Sequence, residues 1–194
     1  MTTSPLPDDT RARLLGAARA VFAEKGVQGA RMADVADAAA VSRQALYYHF
    51  HSKQALAGEL LREGLERLGA EVRAGLADGP VETIVDVLLG FYLRNADLAR
   101  LLLSQVDVGL DLARLRDAGL DVLIDPLTER LRRDAEAGRV GAIEPRTAAL
   151  AIVGAINACA VDLLFRGDDV EPLAAELTTC VRRLLDIPSQ ETET

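Results

Sequence analysis

The stretch from Gly26 to Lys53, GVQGARMADVADAAAVSRQALYYHFHSK, decides the fold of the N-terminal part of this chain. Apolar residues recur in its first half at the i, i+3, i+4, i+7 spacing of one buried helical stripe: Met32, Val35, Ala36 and Ala39. Ser42 is a good N-cap for a second helix over residues 43–48. The stretch therefore predicts two short helices joined by a tight turn.

The predicted second helix carries one residue that can pack inward, Leu46, with Val41 and Phe50 beside it. Its other side chains remain for contacts outside the fold: Arg43, Gln44, Ala45, Tyr47 and His49. A helix that served only a core would not carry this many polar and aromatic groups. The arrangement is typical of a helix-turn-helix that places its second helix in the major groove of DNA.

Fragments at characteristic spacings carry a wider resemblance: Arg13–Gly26, Asp34–Ala36, Val41–Ser42, Leu46–Phe50 and Ser52–Leu56. Together and in this order they resemble the TetR family of one-component transcriptional repressors. The resemblance is specific over the first quarter of the chain and beyond Leu60 rests on length and helicity. It implies an N-terminal three-helix helix-turn-helix DNA-binding domain over residues 1–53. A helical ligand-binding and dimerisation domain over residues 54–194 is then expected.

Composition and punctuation favour an all-α chain of about nine helices. Ala and Leu dominate, and β-branched residues never alternate over a convincing strand. Proline, glycine and capping residues predict helices after the first three over 52–77, 81–94, 96–105, 111–137, 145–167 and 171–187. Pro126 lies inside one of them and predicts either a kink or two separate pieces.

Two positions depart from the family pattern. Ala40 occupies the turn position where the family usually has Gly, which suits a positive φ. Ala30 and Arg31 stand where Thr or Ser usually opens the second helix. The hydroxyl that the family pattern offers to a phosphate is therefore missing, and Arg31 is expected to supply a charged contact in its place. We predict that Ala40→Gly is neutral or stabilising.

Base chemistry and the resemblance assign roles on the predicted recognition helix. Arg43 and Gln44 are the best direct readers, because Arg can bind guanine and Gln can bind adenine through paired hydrogen bonds. Ala45 is placed to touch a thymine methyl group.

The resemblance adds Tyr47 at the groove, and Tyr48, His49 and Lys53 on phosphates. Tyr48 has an alternative reading as a core residue, and His49 one as a helix C-terminal group.

Charge is distributed unevenly along the 194 residues, whose formal net charge is −8. Residues 1–53 hold seven basic and five acidic side chains, a net charge of +2, which leaves −10 for the remainder. A mildly basic head on an acidic body favours one docking orientation on DNA. An acidic surface that only maintains solubility would give the body the same charge.

The body is expected to provide the partner and effector contacts. Small and apolar residues in the last two predicted helices suit packing against a second subunit, and the resemblance implies a homodimer there that binds a palindromic operator. A purely intramolecular core is the alternative. The resemblance also implies a small-molecule effector of unknown identity, whose candidate contacts are Phe91, Tyr92, Gln105 and Asn157.

Other functions find little support in the sequence. There is no phosphate-binding glycine loop or Gly-flanked serine, so an enzyme, a cofactor and a metal site are not expected. Redox sensing by Cys159 or Cys180 would need a lowered pKa. No signal peptide is recognisable, and the uncharged run of residues 147–161 is shorter than a membrane span, so we predict a cytoplasmic protein. A helical module whose head binds a protein and not DNA remains the alternative function.

Overall fold

A computed structural model describes residues 7–103, 110–166 and 170–187, which form helices and no strands. The described helices are α1 (Pro7–Gly29), α2 (Met32–Ala38), α3 (Arg43–His49), α4 (Lys53–Asp78), α5 (Thr83–Arg94), α6 (Ala96–Leu103), α7 (Leu110–Glu136), α8 (Pro145–Arg166) and α9 (Val170–Leu184). The predicted all-α fold is confirmed, and the predicted helix ends lie within a few residues of the observed ones.

The chain forms two compact units. The first contains α1 to α3, α4 up to Gly64, α6 and α7 up to Ala118. The second contains α4 from Leu65, α5, the rest of α7, α8 and α9. The two units are defined by the packing of residues within each unit. Packing does not test where DNA-binding and effector-binding functions divide, so the boundary predicted at residue 53 stays a prediction.

The first unit is built on the apolar stripe that the sequence predicted. Val35 and Ala36 of α2 and Ala39 directly after it are buried, Met32 of the predicted stripe is half-buried, and Leu46 on α3 is fully buried. They share this core with buried side chains of α1 and α4: Leu14, Leu15, Ala18, Val21, Phe22, Leu56, Ala57, Leu60 and Leu61. The stripe thereby fixes which faces of the two short helices point to solvent.

Helix α1 is broken at Gly26, whose φ of 67° and ψ of 161° are not helical. This region of backbone space is essentially restricted to glycine, because a Cβ would clash there. The regular part of α1 therefore ends on the glycine predicted to end it, and residues 27–29 turn back toward α2.

The second unit has its own core where α5, α8 and α9 pack on one another. Helix α7 continues through Pro126, so two separate pieces are not observed. Leu123, Ile124 and Leu127 around the proline are buried, and this packing holds the helix on both sides of the missing hydrogen bond.

The C-terminal end of α7 also carries a buried carboxylate, Asp134, that the sequence did not single out. Arg130 binds both of its oxygens at 3.0 and 2.9 Å, and Arg139 binds one of them at 2.6 Å. Arg130 donates as well to the Leu76 carbonyl of α4 at 2.5 Å. A charge buried this deeply is tolerated because each oxygen has a charged partner.

Candidate DNA interface

The turn between α2 and α3 has the geometry that the sequence predicted. Ala40 lies in the left-handed region with φ of 52°, and the Val41 N–H donates to the Ala36 carbonyl at 3.0 Å. Ser42 caps α3, since its Oγ accepts from the Ala45 N–H at 3.1 Å. The chain thus keeps a glycine-type turn with an alanine in it, at a conformational cost on the order of 1 kcal/mol.

The start of α2 uses a carboxylate where the sequence lacks a capping hydroxyl. The Arg31 N–H donates to Oδ2 of Asp34 at 2.9 Å, and Lys25 Nζ lies 3.3 Å from the same oxygen. The hydrogen bond from the Arg31 backbone is the main cause that lowers the pKa of Asp34, with Lys25 adding to it. The Arg31 side chain is left exposed at this helix end.

Helix α3 presents its polar and aromatic side chains to solvent. Tyr48 is 84% exposed and Tyr47 is 52% exposed. Leu46, on the same helix, is fully buried. Arg43 and Gln44 are exposed, and Ala45 and His49 are half-buried. The reading of Tyr48 as a core residue is therefore wrong. The Tyr48 ring meets His49 edge-on, with 5.3 Å between ring centroids.

Most cations of residues 1–53 already have partners within the first unit. Three of them pair with carboxylates: Arg11 with Glu59, Arg19 with Glu63 and Lys25 with Asp34. Two others, Arg13 and Lys53, donate to backbone carbonyls.

Arg31 and Arg43 remain exposed, and neither forms a salt bridge among the described residues, although the charge of Arg31 helps to lower the pKa of Asp34. These two arginines are the cations that this surface offers to a phosphate or a base without breaking an existing bond.

Lys53 is thus placed differently from the other predicted phosphate contacts. Its Nζ lies 2.9 Å from the Gln28 carbonyl and 2.9 Å from the Ala30 carbonyl, and the residue is half-buried. No local pattern near Lys53 predicts these bonds, because the partners lie 25 and 23 positions away.

Two of the predicted effector residues meet in the second unit. Tyr92 is 2% exposed, and its hydroxyl donates to Oδ1 of Asn157 at 2.7 Å. Burial raises the pKa of Tyr92 far above its usual range, so this hydroxyl stays protonated. Phe91 is buried beside Tyr92 with its ring edge-on, and Gln105 lies outside the described residues. Sequence reasoning missed Thr128, whose buried Oγ1 has no partner in the described part of the chain.

Helix α8 exposes an apolar face. Leu150 is 51% exposed and Phe165 is 55% exposed. Small exposed residues lie between them on the helix: Ala151, Gly154, Ala155 and Ala158. Among the residues that the structure describes, no side chain lies within 4 Å of where a Cβ on Gly154 would stand. This surface is open to a partner that approaches the backbone closely.

The same helix is long and apolar enough to cross a membrane when judged by length and composition, over Pro145–Phe165. It is longer than the uncharged run of residues 147–161 because the helix also includes Arg146 and Asp162. Core helices of soluble proteins have the same length and composition.

Metal binding and redox sensing find little support among the described residues. No group of three metal-binding side chains occurs among them. Burial, followed by the nearby Asp162, raises the pKa of Cys159, which disfavours its reactive thiolate.

A capped turn, a buried stripe and an exposed second helix define a helix-turn-helix DNA-binding protein. Residues 14–60 match the family of bacterial regulatory proteins described as the tetR family. The chain is 30% identical over 160 residues to the transcriptional regulator UidR of Escherichia coli K12, a match that covers 70% of this chain and 82% of UidR. The chain belongs to the TetR family and is a DNA-binding transcriptional regulator.

Further relatives extend the similarity in sequence and in fold. The repressor KstR2 of Rhodococcus jostii is 39% identical over 83 residues, which cover 40% of this chain and 41% of KstR2. This match thus spans less than half of that repressor. The structure of Salmonella enterica GusR superimposes with a TM-score of 0.79 at 25% identity and covers 95% of this chain and all of GusR.

FadR of Bacillus subtilis, solved in complex with stearoyl-CoA, gives a TM-score of 0.78 over 92% of this chain and 99% of FadR. At 16% identity this likeness shows the fold alone.

Proposed function

We propose that this regulator is a homodimeric repressor that binds a palindromic operator and is released by a small-molecule effector. The observation that carries the proposal is the contrast between two exposed helices. Helix α3 offers arginine, glutamine and tyrosine side chains to solvent, and α8 offers an apolar face. The first suits base edges and phosphates, and the second suits another copy of the same helix.

On the operator, we assign base reading to Arg43, Gln44, Ala45 and Tyr47. The first two are exposed at the N-terminal end of α3, the part of a recognition helix that contacts base edges. Arg31, Tyr48 and His49 are assigned to phosphates that position the helix. Lys53 is assigned to a phosphate as well, through the ammonium donor that its bonds to the Gln28 and Ala30 carbonyls leave available.

Dimerisation would bring two recognition helices to successive major grooves, about 34–36 Å apart. Helices α8 and α9 are the proposed interface, in line with the exposed apolar face of α8 and the exposure of Leu184 on α9. A single short helix makes too few base contacts for useful specificity, so the dimer is part of the DNA-binding function.

The effector is proposed to bind in the second unit near Phe91, Tyr92 and Asn157. A ligand hydroxyl or carboxylate that competes for the Tyr92–Asn157 hydrogen bond would be recognised in an otherwise apolar surrounding. It releases DNA only if it binds one conformation of the protein better than the other. The FadR complex with stearoyl-CoA makes long-chain acyl-CoA one reasonable member of a screening panel.

One experiment tests DNA binding, palindromy and spacing together. Purified full-length protein would select fragments from a random DNA pool, and we expect an inverted repeat with half-sites about one helical turn apart. Enrichment of a single half-site without a repeat would refute the dimeric operator. An absence of enrichment, with capture of a protein by the same surface, would support the protein-binding alternative. Cytoplasmic location and the lack of enzymatic activity are part of the same proposal.

A further inference from the structure

Helix α6 belongs to the same compact unit as α1 to α3, although it lies well beyond residue 53, the predicted end of the DNA-binding domain. It packs against α1. Its Leu98 is buried and faces Gly64 of α4, which belongs to the same unit. The DNA-binding helices are therefore packed against a segment from outside the predicted domain.

Gly64 leaves the space that Leu98 occupies. A Cβ on Gly64 would lie 2.0 Å from Cδ2 of Leu98 and 2.9 Å from both its Cδ1 and its Cγ. Carbon atoms that are not bonded pack at about 3.5–4.0 Å, so a larger residue at position 64 would overlap the branched end of this leucine. Glycine inside a helix is less favourable than alanine, and the contact with Leu98 explains its presence in α4.

The packing of α6 on α1 leads to the turn before the recognition helix. Arg13 of α1 donates from Nη2 to the Ala39 carbonyl at 2.5 Å and to the Ala40 carbonyl at 3.3 Å. These carbonyls lie at the end of α2 and in the left-handed turn that leads into α3. Closely packed interiors transmit strain, so a shift of α6 would displace α1 and the guanidinium that holds the turn.

We propose that Gly64 is a positioning residue for DNA recognition. Its missing side chain lets Leu98 pack α6 against α4, and this packing fixes α1, Arg13 and the turn at Ala40. Gly64 thereby sets the placement of α3 without touching DNA. The inference rests on DNA binding by α3 and on neither the dimer nor the effector.

The operator affinity of folded, full-length Gly64→Ala gives the first test. We expect a loss on the order of tenfold, the factor that ~1.4 kcal/mol represents. Leu98→Ala makes room for the added methyl group, so Gly64→Ala introduced into Leu98→Ala should change the affinity by less than about twofold. A double-mutant cycle detects this coupling. Gly64→Ala that binds operator like wild type, because Leu98 only changes its rotamer, would overturn the proposal.

Gly69→Ala is the matched control on the same helix. Its Cβ would lie 2.3 Å from Cγ1 of Val122, and both residues belong to the second unit. We expect a lower melting temperature, because the same kind of overlap is introduced, and an operator affinity near the wild-type value in folded protein. Equal losses of affinity for Gly69→Ala and Gly64→Ala would show a general effect of disturbing α4 and refute the specific role of Gly64.

Amide hydrogen exchange, read by mass spectrometry, shows where each variant acts. In Gly64→Ala, exchange should become faster in α1 and at residues 39–42, where the Val41 N–H donates to the Ala36 carbonyl. In Gly69→Ala these segments should exchange at wild-type rates. A loss of overall stability would instead raise exchange along the whole chain. Unchanged exchange at residues 39–42 in Gly64→Ala would contradict the path through α1.

Leu98→Ala tests the same contact without overlap if Gly64→Ala does not fold. Removing the leucine leaves a cavity between α6 and α4, so we expect faster exchange at residues 39–42 and weaker operator binding. Leu98→Ala that binds operator as tightly as wild type would refute the proposal. Wild-type protein that binds no DNA would instead refute the proposed function.

Discussion

Helices α3 and α8 both present large side chains to solvent, but the side chains differ in kind. On α3 the exposed groups are Tyr47, Tyr48 and neighbouring polar residues, each of which can hydrogen bond to water. On α8 they are Leu150 and Phe165, with small residues between them. Exposed polar groups are stable without a partner, whereas a continuous apolar face indicates one.

The two surfaces therefore differ in whether they are stable in water without a binding partner. The surface of α3 is complete in the free protein, since Ser42 caps it and Leu46 anchors it. The surface of α8 leaves Leu150 and Phe165 more than half exposed to water in the single chain. Changes on the two helices should accordingly differ in what they disturb, and the following predictions start from the largest effect.

A charge on the open face of α8 should have the largest effect. Ala155→Glu would place an unpaired carboxylate in the proposed subunit interface, which costs several kcal/mol in an apolar surrounding. We expect a monomer by light scattering and a loss of operator affinity on the order of a hundredfold or more, because each ~1.4 kcal/mol is tenfold. Ala70→Glu, exposed on α4, is the matched control and should remain dimeric. A dimeric Ala155→Glu protein would place the interface elsewhere.

Loss of a base contact on α3 should have a smaller and more selective effect. Arg43→Ala is expected to cost on the order of 1–3 kcal/mol of operator binding and to relax the preference at one base pair. The dimer should be unaffected, in contrast to Ala155→Glu. Competition binding with single-base operator variants measures both quantities, and Arg67→Ala on α4 controls for charge. An equal loss on every sequence would identify Arg43 as a phosphate contact.

The contrast between the helices also shows what could be predicted from the sequence. Ser42 as a cap, Leu46 as the buried residue and Ala40 as a left-handed turn are local features, and the structure has all three. They were predictable because capping, periodicity and turn geometry depend on residues within a few positions of one another.

Long-range partners were not predictable in the same way. Nothing near Lys53 or Arg13 indicates that they bind carbonyls 23 to 27 positions away. Tyr92 and Asn157 are both predicted as effector contacts, but the hydrogen bond between them spans 65 positions and has no local signal. The buried carboxylate of Asp134 could not be predicted either, since its burial between two arginines depends on the packing of distant segments.

A substitution in the turn between α2 and α3 should change the stability of the fold and leave the exposed side chains of α3 and α8 unaltered. Ala40→Gly removes the Cβ from a residue with φ of 52° and is expected to stabilise the fold by up to about 1 kcal/mol. For a chain of this size that raises the melting temperature by roughly 2–4 °C. Ala20→Gly, exposed on α1, is the matched control and should lower it, because glycine weakens a helix interior. A clearly lower melting temperature for Ala40→Gly would contradict the inferred turn energetics.

The smallest predicted effect concerns Glu59, a carboxylate of the first unit that forms ion pairs with Arg11 and Arg62. Arg62, at 2.6 Å, and then Arg11 lower the pKa of Glu59 to about 2. Arg11 also lies 5.5 Å above the Phe50 ring at the C-terminal end of α3. Because the pKa is lower in the folded protein, the stabilisation is fully present above the ordinary value of 4.5 and is lost as the pH falls toward 2.

Glu59→Gln should therefore reduce stability at pH 7 by about 1 kcal/mol, the upper end of the range for surface ion pairs, because Glu59 is half-buried while its arginine partners are 40% and 47% exposed and screened by water. The difference from wild type should shrink between pH 4.5 and 2 in urea denaturation. Glu24→Gln, exposed on α1, is the matched control for the loss of one carboxylate charge. Operator binding at neutral pH should change little, since Glu59 touches neither α3 nor α8 directly in its ion pairs. A difference that stays constant down to pH 2 would mean that the amide loses packing and not charge.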